Sequence, residues 1–373
     1  MKKIVFLTGT RADYGKLKPL MLAVDKCKEF ALHIFVTGMH MLPQYGQTEI
    51  EVRNAGFKNI FPYINQFSGD SMDVVLAHSI LGIGRYLELL QADLLVVHGD
   101  RVEALAGAVV GALNNIRVAH IEGGEVSGTI DESLRHSISK LAHIHFVANQ
   151  EAKKRLIQMG ECEDDIYVVG SPDIDLMTSE SLPSLQEVKK YYGIDFDDFA
   201  LAIFHPVTTS LATMQEEAQH YINALRESKL NYIAIYPNND LGSEIILNLL
   251  KGLLGNKKFK IFSSLRFEYF LVLLKNAQFI IGNSSAGVRE APFYGVPTIN
   301  IGNRQHGRFF HQTIVNAVPK KKSILDAISA TGNIKRIPST HFGDGKSTER
   351  FIKILKDGKI FKTKIQKHFV DSD

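Results

Sequence analysis

Phe279-Ile280-Ile281-Gly282-Asn283-Ser284-Ser285-Ala286-Gly287-Val288-Arg289-Glu290 reads as one architectural unit: an apolar strand, a turn of small residues and the opening of a helix. A strand that is apolar on both faces belongs in a parallel sheet covered by helices. The turn and the mouth of the helix present backbone N–H groups without intrahelical partners, and with the helix dipole these favour a phosphate. Glu290 lies about one and a half helical turns beyond Ser285, so its carboxylate can face the same crevice and accept bonds from sugar hydroxyls. Phosphate donors beside a hydroxyl acceptor describe a nucleotide-sugar site. The plain alternative is a capped helix carrying a solvated Glu.

The same grammar recurs along the chain. Strand candidates are Ile4–Leu7, Leu32–Val36, Asn59–Tyr63, Leu94–His98, Val118–Ile121, Ile144–Val147 and Tyr167–Val169, then Ala200–Phe204, Tyr232–Tyr236, Lys258–Ile261, Phe279–Ile281 and Thr298–Ile301. Helical patterns such as Met72–Leu90 and Arg101–Leu113 lie between most of them. Alternation of this kind predicts an α/β protein with doubly wound parallel sheets. The polar stretch Asp175–Lys190, with Ser-Leu-Pro-Ser inside it, separates the two series and is the linker candidate. At 373 residues there is room for two such domains. Two Rossmann-like domains facing a central cleft are expected, divided near residue 175, the second ending near 345.

Ligands of such sheets bind at the carboxyl ends of the strands, and the loops at those ends are polar. Thr8-Gly9-Thr10-Arg11-Ala12-Asp13, His98-Gly99-Asp100-Arg101, His120-Ile121-Glu122-Gly123-Gly124-Glu125, His205-Pro206-Val207-Thr208-Thr209, Pro237-Asn238-Asn239-Asp240 and Gly282-Asn283-Ser284-Ser285 close six of the strands. Arg11 stands at a helix start, where a forked guanidinium can clamp a diphosphate; pairing with Asp13 is the alternative. Asp100, Glu122 and Asp131 are the carboxyl candidates, and glycines after Glu122 leave room for a ligand near the backbone. Two carboxyls in one dry site separate into an acid and a base. Asp131, at the predicted helix start Thr129-Ile130-Asp131-Glu132-Ser133, also reads as a cap. His205 can bind phosphate, shuttle a proton or serve the fold.

Other features exclude function classes. The formal net charge of +3 is too small and too evenly spread for a nucleic-acid surface. No apolar run reaches the roughly 18 residues of a membrane span. Cys27 and Cys162 stand far apart, and the N-terminal strand Lys3–Leu7 lacks a signal-peptide cleavage site, so a reduced, cytoplasmic setting is expected. Gly82-Ile83-Gly84 falls inside a helix pattern and lacks the third glycine of a dinucleotide fingerprint. His143 and His145 read as structural, and Lys320-Lys321-Lys322 as a solvated helix start.

Taken together, Thr8–Lys16, His98–Ala106, His120–Glu125, Ser139–His145, Arg266–Phe270, Gly282–Glu290 and Gly302-Asn303-Arg304-Gln305 resemble the hydrolysing UDP-N-acetylglucosamine 2-epimerases, most closely the bacterial sialic-acid type. The resemblance runs over essentially the whole chain. It implies a GT-B fold, with a last helix near Ser347–Leu355, in the segment 346–373, returning to the first domain. It implies conversion of UDP-N-acetylglucosamine and water to N-acetylmannosamine and UDP through 2-acetamidoglucal, without metal or nicotinamide. The family's catalytic carboxylates fall on Asp100, Glu122 and Asp131. Its UDP ligands fall on Arg11, Arg101, His205, Asn238, Ser284, Ser285, Glu290 and Arg304, with Leu265 beside the uracil. UDP-N-acetylglucosamine and a second copy of the chain, as dimer or tetramer, are the partners implied. A UDP-2,4-diacetamido-trideoxyhexose substrate, a non-hydrolysing epimerase and a GT-B transferase or binder remain alternatives.

Overall fold

The computed structural model describes residues 1–371, and two compact units emerge from it: Met1–Glu125 with Asp131–Ser179 and residues 341–371, and Val126–Ile130 with Glu180–Thr340. In the first, strands β1 (Lys2–Thr8), β2 (Phe30–Val36), β3 (Ile60–Pro62), β4 (Leu94–His98), β5 (Arg117–Ile121), β6 (Ile144–Val147) and β7 (Ile166–Val168) form a parallel sheet of order β3-β2-β1-β4-β5-β6-β7. In the second, β8 (Ala200–Ile203), β9 (Tyr232–Ile235), β10 (Phe259–Phe262), β11 (Ile280–Gly282), β12 (Thr298–Ile301) and β13 (Ile314–Ala317) take the order β10-β9-β8-β11-β12-β13. Each sheet is doubly wound, and the order reverses between β1 and β4 in one and between β8 and β11 in the other. Those reversals are the switch points where a crevice opens beyond the strand ends.

Alternation along β1 shows why both faces need helices. Ile4 and Phe6 join one apolar cluster with Leu17, Leu20, Met21 and Phe351, whereas Val5 and Leu7 join another with Ile83, Leu87, Val97 and Ala106. The side-chain period of two sends neighbours to opposite faces, so the unbroken apolar run Ile4–Leu7 is buried on both. Gly82 stands where a Cβ would lie 2.2 Å from the Tyr63 ring, so this glycine serves helix packing rather than a nucleotide.

All twelve expected strands are present, with ends shifted by a residue or two. β13 is an addition to them: it is an edge strand, half-exposed along most of its length, and carries little periodic signal. The linker reading needs correction at both ends: Asp175–Met177 closes the helix Pro172–Met177. Leu185–Tyr192 is a helix, started by a capping box in which Ser184 accepts from the Glu187 N–H and Glu187 reaches back to the Ser184 N–H. The Ser-x-x-Glu spacing that makes this stretch look like a polar linker is a helix-start signal.

The helix Ser347–Asp357 packs in the first unit, where Phe351 and Leu355 are buried against the β1 cluster. Beyond it, the Lys367 ammonium caps the end of the helix Ile130–Leu141 through the carbonyls of Lys140 (2.8 Å) and Ala142 (2.5 Å), and it pairs with Glu161. Glu161 also pairs with Lys140 at 2.7 Å and accepts from the His145 Nε2–H at 3.0 Å. Burial pushes the Glu161 carboxyl up, but the His145 hydrogen bond and the Lys367 charge outweigh it and hold the group at about 2. His143 accepts from the Val118 N–H, so both histidines serve the fold.

Glu161→Gln is expected to destabilise the protein by about 3–5 kcal/mol at pH 7, because it strands the ammonium groups around it. A carboxyl depressed on folding contributes stability that is present above its unfolded value of about 4.5 and lost as pH falls through its folded value near 2. Thermal melts should therefore show wild type and variant converging between those values. A gap independent of pH would contradict the ion cluster.

Candidate active site

β4 and β5 are neighbours in register, with His98 opposite Ile121, so the loops leaving them lie side by side. Asp100 comes two residues after β4. Its carboxylate pairs with Arg135, whose guanidinium is 1% exposed and also donates to the Glu125 carbonyl at 3.3 Å. Arg135 comes from the helix Ile130–Leu141, and Asp131 lies one turn ahead of it on the same face. Asp131 is inside the first turn, where the helix dipole favours a carboxylate, rather than at the cap position. Beneath Asp100, the His120 Nε2–H donates to the Gly99 carbonyl at 2.7 Å while Nδ1 meets Ser139 Oγ at 3.0 Å. Burial pushes this imidazole down to about 3, so it is a neutral strut.

Glu122 follows β5 in a left-handed backbone conformation, φ 65°, which a non-glycine residue rarely adopts. Its side chain is almost fully buried, with His98 Nε2 at 3.2 Å from Oε2 (close enough to pair, but not aligned as a hydrogen bond) and the Ser171 hydroxyl donating to Oε1. Strained backbone of this kind concentrates at functional sites. The glycines after it are also required by the packing. A Cβ on Gly123 would lie 2.8 Å from His120 Nδ1, and one on Gly124 would lie 2.3 Å from the Ala152 carbonyl oxygen. Close packing within the unit requires them.

Arg11 opens the helix Arg11–Asp25 after β1 and pairs with Glu51, its Nε donating at 2.9 Å. The alternative pairing with Asp13 does not occur. Asp13 completes a capping box with Thr10, accepting the N–H groups of Gly9 (3.0 Å) and Thr10 (3.1 Å). Arg101 precedes the helix Val102–Leu113 and donates to Glu103 at 3.2 Å.

In the second unit the candidates gather at the β8/β11 switch point through one residue, Asn283. It accepts from the His205 N–H at 2.6 Å and donates to the His205 carbonyl at 2.9 Å. Its own carbonyl accepts from Arg304 at 3.2 Å and Gln305 at 3.1 Å. His205 Nδ1 accepts the Asn238 N–H at 3.1 Å, which leaves the proton of the neutral ring on Nε2. Gly282, φ 136°, is required here: a Cβ would collide with the Ile203 carbonyl oxygen at 1.8 Å. Leu265 is buried beyond β10.

The expected continuous helix after Ser285 is corrected. Ser284 caps a short 3₁₀ turn, Ser285–Gly287, and a single α-turn, Glu290–Phe293, begins only afterwards. Pro292 explains the break, since it has no N–H to donate and sits comfortably only in a first turn. Glu290 is thus placed by a fresh turn, buried at 2% exposure.

Sequence reasoning missed Arg135, Ser171 and Asn283. The first carries a signal in its spacing from Asp131, and Ser171 lies in the Gly170-Ser171-Pro172-Asp173 turn after β7, a seventh polar strand end. Among the described residues no group of three or more His, Cys, Asp or Glu is arranged to hold a metal ion, and no helix is long and apolar enough to cross a membrane.

A relative named UDP-N-acetylglucosamine 2-epimerase, from Neisseria meningitidis serogroup B, is 48% identical over 100% of this chain and 99% of its own. A Legionella pneumophila protein named UDP-N,N'-diacetylbacillosamine 2-epimerase (hydrolyzing) is 34% identical over 95% of this chain and 96% of its own. The crystal structure of Methanocaldococcus jannaschii UDP-GlcNAc 2-epimerase in complex with UDP-GlcNAc and UDP superposes with a TM-score of 0.79 at 25% identity, covering 96% of this chain and 100% of that one. That likeness bears out the GT-B-like fold class expected from the sequence. With the family pattern described as UDP-N-acetylglucosamine 2-epimerase matching residues 22–356, the chain belongs to the UDP-N-acetylglucosamine 2-epimerase family.

Proposed function

We propose that this protein is a hydrolysing UDP-N-acetylglucosamine 2-epimerase that converts UDP-N-acetylglucosamine and water to N-acetylmannosamine and UDP, opening sialic-acid synthesis. The observation that carries the reading is the setting of Glu122: a buried carboxylate on strained backbone, held by the Ser171 hydroxyl with His98 at 3.2 Å, in the loop after β5, whose neighbour β4 leads into the loop of the Asp100–Arg135 pair. In the first step a carboxylate takes the C2 proton as the C1–O bond to UDP breaks, leaving 2-acetamidoglucal. Water then adds its oxygen to C1 while a proton returns to C2 from the opposite face, so C2 is inverted. Two carboxyls of different protonation state suit these opposite tasks. Arg11, Arg101, His205, Asn238, Ser284, Ser285, Glu290 and Arg304 are the UDP ligands of this reading, with Leu265 beside the base.

A second reading has its own support. The 34% identical Legionella relative is named for a diacetamido sugar, so the same chemistry on a C4-acetamido substrate is the competitor. Parallel assays of the two UDP-sugars decide between them, and release of UDP separates both from a non-hydrolysing epimerase, which returns a UDP-sugar. Run in deuterated, ¹⁸O-enriched water, turnover should give N-acetylmannosamine with deuterium at C2 and UDP free of ¹⁸O. Label in UDP would mean P–O cleavage and would sink the elimination route. A C2 hydrogen retained through inversion would demand oxidation and reduction instead.

A further inference from the structure

The turn that holds Glu122 is itself held by the far end of the chain. Ser171 is fully buried, and while its hydroxyl donates to Glu122, its backbone N–H donates to the Phe342 carbonyl at 2.7 Å. Ser347 Oγ donates to the Gly170 carbonyl at 3.0 Å, and Arg350 donates to the Val169 carbonyl at 3.1 Å and to Asp344 at 2.7 Å. In return Asp175, in the helix Pro172–Met177, accepts the N–H groups of Ser347 (2.8 Å) and Thr348 (2.6 Å), two donors that the helix Ser347–Asp357 cannot satisfy internally. Gly170 (φ 90°) and Gly343 (φ 146°) meet face to face. A Cβ on Gly343 would stand 3.2 Å from the Ser171 nitrogen and 3.4 Å from the Gly170 Cα. The turn and the strap thus fit with no room for a side chain between them.

A carboxylate on a flexible stem wanders unless its oxygens are held, and catalysis is sensitive to such misplacement. We propose that Ser171 is a positioning residue that orients Glu122, and that the His341–Arg350 strap sets Ser171 by locking the Gly170–Asp175 turn. The proposal rests on the reading of Glu122 as a catalytic carboxylate. A purely structural tie would move stability and every kinetic constant together. A positioning role moves turnover alone, because substrate binding through the nucleotide does not depend on where one carboxylate points.

The test uses the full-length protein, with kcat and KM for UDP-N-acetylglucosamine, UDP affinity by calorimetry and the melting temperature. Ser171→Ala should lower kcat by about 10- to 100-fold while KM and UDP affinity stay within about threefold. Ser347→Ala keeps both the Ser171 and Glu122 side chains but loosens the turn that sets them, and it should show the same selective loss at roughly 3- to 10-fold. In a Glu122→Gln background, Ser171→Ala should cost nothing further, as expected for residues that act as one unit. Wild-type kcat in folded Ser171→Ala, or a loss of kcat matched by a loss of UDP affinity, overturns the proposal. If Ser171→Ala does not fold, Ser347→Ala decides, and an unchanged kcat there overturns it equally. Near-normal turnover in Glu122→Gln would defeat the catalytic reading itself. An inactive Glu122→Gln beside normal serine variants would defeat only the positioning role.

Discussion

Glu122→Gln should lower kcat by about 10²–10⁴-fold with UDP affinity unchanged, the loss typical of a general acid or base. The amide has the shape of the carboxyl and can still accept from Ser171, so the change removes proton transfer while leaving the packing in place. Asp131→Asn should behave similarly. Near-normal kcat in that variant would reduce Asp131 to a residue that complements the helix dipole. Asp100→Asn should lose turnover too, but with a fall in melting temperature, because Arg135 is 1% exposed and loses its counter-charge. Kinetics read beside melting curves separate the two effects. A calorimetric titration with UDP supplies the control, since a large loss of UDP affinity in Glu122→Gln would relocate that residue from the chemistry to the nucleotide.

Glu290→Ala and Ser285→Ala carry the second largest expectation: weaker UDP binding by roughly 1.5–3 kcal/mol each, about 10- to 150-fold in affinity. Glu290 is buried and stands at the start of its own turn, so truncation removes an acceptor that no flexible neighbour can replace. Ser285 opens the 3₁₀ turn that Ser284 caps, immediately after the Asn283 hub linking His205 and Arg304. Unlike the carboxylate variants, these should raise KM as well as the UDP dissociation constant. Unchanged affinity in both would place the nucleotide away from the Gly282–Glu290 segment.

Much of this molecule is determined by short-range pattern. Apolar runs such as Ile4–Leu7 and Phe279–Ile281 read as strands because burial on both faces leaves no polar position to confuse the period, and the chemistry-bearing loops come with them because a parallel sheet gathers its strand ends on one edge. Family membership is likewise legible in the spacing of Thr8–Lys16, His98–Ala106 and Gly282–Glu290. Edge strand β13 escapes because half-exposed strands lose that contrast. Tertiary structure alone decides which partners hold the candidates. Arg11 pairs with Glu51, forty positions away, rather than with its neighbour Asp13, and the serine on Glu122 is Ser171, forty-nine positions away. The glycines after Glu122 answer to His120 and Ala152, and the strap that fixes Ser171 comes from beyond residue 340. Such pairings depend on which loops the sheet order makes adjacent, and strand order is a property of the assembled core that local sequence does not carry.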